Sequence, residues 1–476
     1  MPGSKSAPEL RRDLGLWSAV ALVVGTVIGS GIFLVPKDMA AAVGTPGMVL
    51  VVWVVGGALS LAGALTYAEL SAALPEAGGE YVYLRAAYGP FWGFLYAWTQ
   101  MWVGKSGSVA TLATAFFMYL ANFRPELEGV ACRLGLPIGP GGGPLEVRYG
   151  QFLAMAVILL LAGINYFGVR FGGGVQVAVT LVKVALISAL IVLGFSSGAG
   201  GAGNYGTAVA APGGWSGFFL ALVAALWAYD GWNNVSMVSS EIRAPQRNLP
   251  RALIAGTLGV VAIYLAANAA YFWVLPAREV AASDRVAADV MRRAWGAWGG
   301  HAVSVAAMVS IFAALNGSIL SGARVPYAMA RDGLFFAPLA RVHPAYCTPG
   351  VSILALGAWS ALLVLSGRYR ELYTYVIFAN WLFYGITTAA VFVLRRRRPE
   401  LPRPYRTLAY PVLPVLFVLA AAAIIVSTLR QSPRESLMGL VLILAGLPFY
   451  FHWKRRGWTG GDSREAREGR RGGDLF

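Results

Sequence analysis

Apolar residues fall along this chain in long, nearly unbroken blocks, not in the alternating or helically spaced stripes of soluble elements. About 12 blocks are long enough to cross a bilayer as helices. They are centred near residues 25, 58, 106, 160, 185, 226, 262, 314, 357, 383, 419 and 444. The pattern predicts an all-α membrane protein with twelve transmembrane helices. Two blocks are interrupted at mid-depth. The first reads VVGTVIGSGIFLVP over residues 23–36, with Gly25, Gly29, Ser30 and Gly31 where lipid offers a weakened backbone no other partner. The sixth reads FFLALVAALWAYDGWNNVSMVSSE over residues 218–241, with Ala228-Tyr229-Asp230-Gly231 at its centre.

The two interruptions lie five blocks apart, in blocks 1 and 6, and an odd offset inverts the second half of the chain relative to the first. That is the pattern of a secondary transporter built as a five-plus-five inverted repeat with broken helices 1 and 6. Small residues also let membrane helices pack closely, and either interruption alone would be read that way. Matched positions in two halves favour a binding site. The expected divisions are a cytoplasmic N-terminal segment (1–13), a first repeat of helices 1–5 (14–195) and a second of helices 6–10 (215–394). Helices 11 and 12 (409–453) and a disordered cytoplasmic tail (457–476), rich in Gly, Arg and Glu, follow.

The chemistry of such a site follows from backbone polarity. Unwinding at Gly29, Ser30 and Gly31 presents N–H groups at the start of a half-helix, where the dipole also favours a carboxylate. The carbonyls of Val27 and Ile28, joined by those of Trp227 and Ala228, suit an ammonium group. Together they complement the head group of an α-amino acid, and glycine lets the ligand approach the backbone closely.

Composition narrows the class. The chain is 57% hydrophobic and 13% charged over 476 residues, about half the charge of an ordinary soluble protein. Its net charge of +16 is explained by topology. The N-terminal segment, even-numbered loops and C-terminal tail carry about 24 Lys/Arg against about 12 in the odd-numbered loops, which predicts cytoplasmic termini in a plasma (inner) membrane. The cluster Arg395–Arg398 agrees. Lipid heads are the expected partners of this charge, and no basic domain interleaved with aromatics points to nucleic acid. The run after Lys5, Arg11 and Arg12 is long and lacks a small-residue cleavage site, so it reads as a retained helix and not a signal peptide. Cys132 and Cys347 fall in loops on opposite faces, so no disulfide is expected. No metal-ligand spacing, phosphate-binding loop or nucleophile elbow is present, so neither an enzyme, a cofactor nor an ATP-driven pump is expected.

GTVIGSGIF in span 1 and YAELSAALPEAGGEYVYLRAAYG at the end of span 2 resemble the amino acid–polyamine–organocation transporters. AYDGWNNVSMVSSEIRAPQRNLPRA is similar to the broken helix and following loop of the L-type amino acid transporter branch. NGSILSGARVPYAMARDGLF, VLRRRRPELPRPYR and LAGLPFYFHWKRR extend the likeness over roughly residues 12–456. The resemblance implies the LeuT-type inverted repeat, alternating access and sodium-independent amino acid transport, often as obligatory exchange. A proton-coupled symporter and a carrier of cationic amino acids or polyamines are the alternatives. It assigns carboxylate binding to Gly29, Ser30 and Gly31, and amine-binding carbonyls to Val27, Ile28, Trp227, Ala228 and Asp230, with Gly231 beside them. Trp227 is the matching aromatic gate; many relatives have Phe there. A volume restriction by Trp227 leans the substrate toward small neutral amino acids.

Lys183 lies in span 5, where a lysine is costly and usually faces a cavity or partner. The resemblance places its ammonium where sodium-coupled transporters hold the ion. The expected reach is from helix 1 carbonyls to span 8 near Ser318 or Ser321, with proton coupling as a further possibility. Asp230 is either an acidic group facing the substrate or an N-cap of half-helix 6b, and the order D-G-W-N favours the cap. Lys105 in span 3 either lines the pathway or satisfies neighbouring carbonyls. Asn380 in span 10 is a candidate external gate or a plain interhelical hydrogen bonder. Glu69 with Arg85 is expected to stabilise the cytoplasmic face. Glu241, Arg243 and Arg247 form either a cytoplasmic gate or a solvated loop. Cys132 occupies the exterior loop where eukaryotic L-type subunits carry a cysteine joined to a glycoprotein, but its context differs, and no obligatory protein partner is expected.

Overall fold

The computed structural model describes residue 10 and residues 12–135, 145–167, 172–366 and 369–455. The expected tail (457–476) and most of the N-terminal segment lie outside the described residues.

The first apolar block forms two helices, α1 (Leu16–Val27) and α2 (Gly31–Val43), bent by 40° across Ile28–Ser30. Helix α3 (Pro46–Ala73) starts where Thr45 Oγ1 accepts the Met48 N–H and Pro46 supplies a preset first turn. After α4 (Glu80–Tyr88), helices α5 (Pro90–Thr99) and α6 (Lys105–Leu120) are joined by a π-helical turn at Gln100–Gly104. Strands β1 (Val130–Leu134) and β2 (Leu145–Arg148) pair antiparallel, with Val130 opposite Arg148 and Leu134 opposite Leu145. This hairpin corrects the all-α expectation: a stretch too short and polar to span pairs its backbone locally. Helices α7 (Tyr149–Tyr166) and α8 (Gly172–Ser196) follow.

The second interruption separates α9 (Gly214–Tyr229) from the short α10 (Asn234–Met237). Gly231 sits at φ +107°, a conformation L side chains rarely adopt. Then come α11 (Pro245–Val274), α12 (Ala277–Ala282), α13 (Val286–Gly322, kinked at Trp295–Gly296) and α14 (Arg324–Arg331). The chain continues through α15 (Gly350–Leu363), α16 (Tyr369–Arg397), α17 (Val412–Gln431), α18 (Pro433–Leu444) and α19 (Gly446–Arg455). Among the described residues, eight helices are long and apolar enough to cross a membrane, or nine with the bent α1–α2 pair as one span. Cys132 and Cys347 are both free.

Most polar residues of the core are buried and paired. Glu69 does not meet Arg85: its carboxylate accepts from Arg395 at 2.9 and 2.6 Å and from the Thr407 N–H and hydroxyl, with Arg403 at 3.5 Å. Arg85 instead pairs with Asp332 and, at 3.2 Å, with Glu76. Glu69 and Arg85 thus each take a partner that chain folding delivers from far along the sequence, Arg395 and Asp332. Glu241 is buried against Arg324, which donates to its two oxygens at 2.9 and 3.1 Å. Arg243, by contrast, is exposed, and its guanidinium donates to the Arg12 carbonyl at 3.4 Å. Leu14 bridges the same connection, donating to the Glu241 carbonyl and accepting from the Arg243 N–H. Arg324→Met strands the Glu241 carboxylate in the interior. The expected cost is ~3–5 kcal/mol, measured as a fall in the melting temperature of the purified protein.

Candidate functional site

The two helix breaks meet. Gly31 packs against Ala228 so closely that a Cβ there would lie 2.4 Å from the Ala228 Cα. Thr26 Oγ1 donates to the Gly231 carbonyl at 3.0 Å, and the Tyr264 hydroxyl lies 2.8 Å from the Val27 carbonyl and 2.9 Å from that of Ala228. One phenol from α11 therefore clasps both breaks.

The carbonyls freed by unwinding are taken up by side chains. Lys183 is fully buried and donates to Gly25 O at 2.8 Å, Ile28 O at 2.8 Å and Ser310 O at 3.0 Å. Ser310 Oγ also donates to Ile28 O at 3.1 Å. Lys183 thus reaches helix 1 and α13 as expected, but at Ser310. Ser318 and Ser321 lie eight and eleven residues further along, about 12 and 16 Å at 1.5 Å per residue, beyond the lysine's reach. Ser321 bonds within its own helix to Gly317 O, whereas Ser318 borders the cavity described next.

A small cavity opens at the junction. The breaks line it with Val27, Gly29, Ser30, Gly31, Trp227, Asp230 and Gly231; Ser318 adds to the wall. Thr26, Ser108, Leu112 and Asn234 complete it, none of them singled out from sequence. In an unbroken helix the Val27 and Ile28 carbonyls would accept from Gly31 and Ile32. Here they hold Gly29 N–H, Tyr264, Lys183 and Ser310, so the N–H groups opening α2, beside the cavity, are released from them. Gly29 N–H is used internally, at 2.7 Å from Val27 O, whereas those of Ser30 and Gly31 have no backbone acceptor among the described residues. The expected amine-binding carbonyls are likewise divided: Ile28 faces Lys183, Ala228 faces Tyr264, and Trp227 O accepts from Asp230 N–H at 3.1 Å.

Asp230 is not an N-cap. Its Oδ1 accepts from the Tyr384 hydroxyl at 2.7 Å and from Asn380 at 3.4 Å, and α10 starts at Asn234 without a side-chain cap. The extended backbone at Asp230 (φ −61°, ψ 143°) turns its side chain to α16 instead of forward along α10. Asn380 stands behind Asp230, accepting from Gln100 Nε2 at 3.0 Å. Lys105 donates to Asn234 Oδ1, and the buried Glu80 accepts from Asn233. These partners form a polar layer that meets the cavity at Asp230 and Asn234, and Glu80, Asn234 and Tyr384 carried no distinguishing signal in sequence.

The other side is closed by aromatics. Trp227 Nε1 donates to the Tyr369 hydroxyl at 2.8 Å, and that hydroxyl shares a hydrogen bond of 3.0 Å with Ser30 Oγ. The Trp227 ring stacks on Tyr373 at 6.0 Å. Tyr369→Phe removes the acceptor and loosens this closure. The expected result is a rise in half-saturating substrate concentration of about tenfold, the value of one buried hydrogen bond, in a transport assay.

A family model described as amino acid permease matches residues 14–447. The chain belongs to that family. Among curated proteins it is 35% identical over 450 residues to the serine/threonine exchanger SteT of Bacillus subtilis, covering 94% of this chain and 98% of that one. It is 33% identical to the human b(0,+)-type amino acid transporter 1, covering 95% and 90%, and 32% identical to the human large neutral amino acids transporter small subunit 2, covering 94% and 82%. Membership makes the chain a multi-pass membrane transporter and not an enzyme.

Proposed function

We propose that this protein is a sodium-independent exchanger of small neutral L-amino acids, working by alternating access around the cavity between the two breaks. The observation that carries the reading is the pairing of released N–H groups at Ser30–Gly31 with Lys183 seated on the Gly25 and Ile28 carbonyls. The first supplies a carboxylate site. The second supplies N–H donors at the break, where a bound cation would otherwise stabilise those carbonyls. Similarity to proteins named as serine/threonine and neutral amino acid transporters supports the substrate class.

In this reading α5–α6, α9–α10 and α15, each shorter or interrupted, complete twelve spans in two inverted repeats, with both termini cytoplasmic in a plasma membrane. The chain works without an obligatory protein partner. Asp230 on the cavity wall favours a second reading, a site that also accepts cationic amino acids.

The test is uptake of labelled amino acids by the purified chain in liposomes, empty or preloaded, with and without sodium and a proton gradient. Uptake only into preloaded vesicles, indifferent to sodium, supports exchange. Concentrative uptake into empty vesicles driven by protons replaces it with symport. Arginine uptake equal to serine uptake selects the second reading, and silence of the chain alone overturns partner independence.

A further inference from the structure

Helix α6 places Ser108 on the cavity wall, one turn from Leu112, and α13 adds Ser318 to the same wall. Ser108 is buried, with 4% of its surface exposed, and its hydroxyl has no hydrogen-bond partner among the described residues. A serine inside a helix ordinarily satisfies itself by donating to a carbonyl three or four residues back. Its neighbours along α5 and α6 follow that habit or a close variant of it. Thr99 donates to Leu95 O at 2.7 Å, Thr111 to Gly107 O at 2.8 Å, and Ser106 to Met101 O across the π-turn. Ser108 does not. Thr114 on the same helix is also unpartnered, but it does not border the cavity.

A buried polar group is normally paired, and an unpaired one calls for an explanation such as a missing ligand. Here the orphan faces the space that the amino acid head group would share. With the carboxylate held at the start of α2, the side chain is what remains to be read by the walls from α6, α10 and α13. Those walls present Ser108, Ser318 and Asn234, with Leu112 the apolar exception.

We propose that Ser108 is a specificity-determining residue whose hydroxyl hydrogen-bonds the β-hydroxyl of the substrate, so that the favoured substrates are serine and threonine over isosteres lacking that group. The proposal rests on the amino acid exchanger reading. A site built to pair with a substrate hydroxyl rejects the analogue without it, because its own polar group is then left unpaired. Leu112 can meet the γ-methyl of threonine without disturbing that bond.

The experiment compares two pairs differing by one hydroxyl, serine with alanine and threonine with valine, as competitors of labelled serine exchange in liposomes. The wild type is expected to favour the hydroxylated member by about tenfold or more. Ser108→Ala brings both ratios close to one, and Ser108→Thr, which keeps a hydroxyl, retains a preference for serine over alanine. Ratios unchanged in Ser108→Ala, or a wild type indifferent to the hydroxyl, overturn the proposal. If Ser108→Ala exchanges nothing, the thermal shift of the purified variant with serine and with alanine reads the same ratio: a surviving serine preference overturns the proposal and its loss supports it. A wild type that exchanges no amino acid sinks the exchanger reading, a result separate from any ratio.

Discussion

Lys183→Met is expected to slow exchange at least about a hundredfold while leaving the protein in the membrane. Methionine keeps the length of the side chain and removes all three of its donors. The Gly25, Ile28 and Ser310 carbonyls would then lie in a fully buried setting with one partner the fewer. Each buried acceptor left unsatisfied costs about 1–3 kcal/mol, and 2.7 kcal/mol is already about a hundredfold in an equilibrium. Ile28 keeps the Ser310 hydroxyl and the Ser310 carbonyl keeps its place in the α13 ladder, so Gly25 bears most of the loss. The break in helix 1 has two ways out, to rewind or to admit water, and both spoil the N–H donors at Ser30 and Gly31. Arginine should not rescue, because its planar fork does not match three carbonyls converging on one point. Counterflow rates normalised to the protein inserted check this. Lys183→Met exchanging at the wild-type rate would show that the ammonium only fills space, and rescue by sodium would show that lysine and ion serve the same carbonyls.

Gly31→Ala is the second change expected to abolish function. The added Cβ would stand 2.4 Å from the Cα and 2.5 Å from the Cβ of Ala228. Neither is the movable end of a long side chain, so α2 and α9 must part by about 1 Å to regain a normal carbon–carbon contact of about 3.5 Å. Parting them pulls on the Tyr264 clasp between Val27 and Ala228 and on the chain from Ser30 through Tyr369 to Trp227. A misplacement of this size is worth about a hundredfold in a preorganised site, read as the ratio of maximal rate to half-saturating concentration. Gly259 of α11 is the control. A Cβ there meets nothing within 4 Å, and Gly259→Ala should leave exchange and melting temperature close to wild type. Equal loss in both variants would mean that any glycine change in a span is harmful and that the contact with Ala228 is not special.

Several features were legible because they are local. A run of about 20 apolar residues can only be a span or a buried helix, so the membrane class followed from composition and length. The cluster Gly29-Ser30-Gly31 and the Asp230-Gly231 pair weaken a helix wherever it lies, so the breaks could be placed before any contact was known. Lys183 stood out because a lysine in hydrocarbon must have a partner. The β1–β2 hairpin was missed because a short strand pair in a loop leaves no long periodic signal.

What the sequence by itself determined is which residues must break a helix and which charges must be answered. Only the tertiary structure decided what answers them: Ser310 and not Ser318 for Lys183, Tyr384 and not its own helix for Asp230, Arg395 and not Arg85 for Glu69. The physical reason lies in the uniform surface of these helices. One that is apolar on all sides carries no stripe to show which face meets a neighbour. Ser310, Tyr384 and Arg395 stand more than a hundred residues from the groups they serve, so their pairing is set by the rotation and depth of each helix within the bundle. Ser108 shows the same division: its type and position are written in the chain, but only the packed bundle leaves its hydroxyl unpaired beside the cavity.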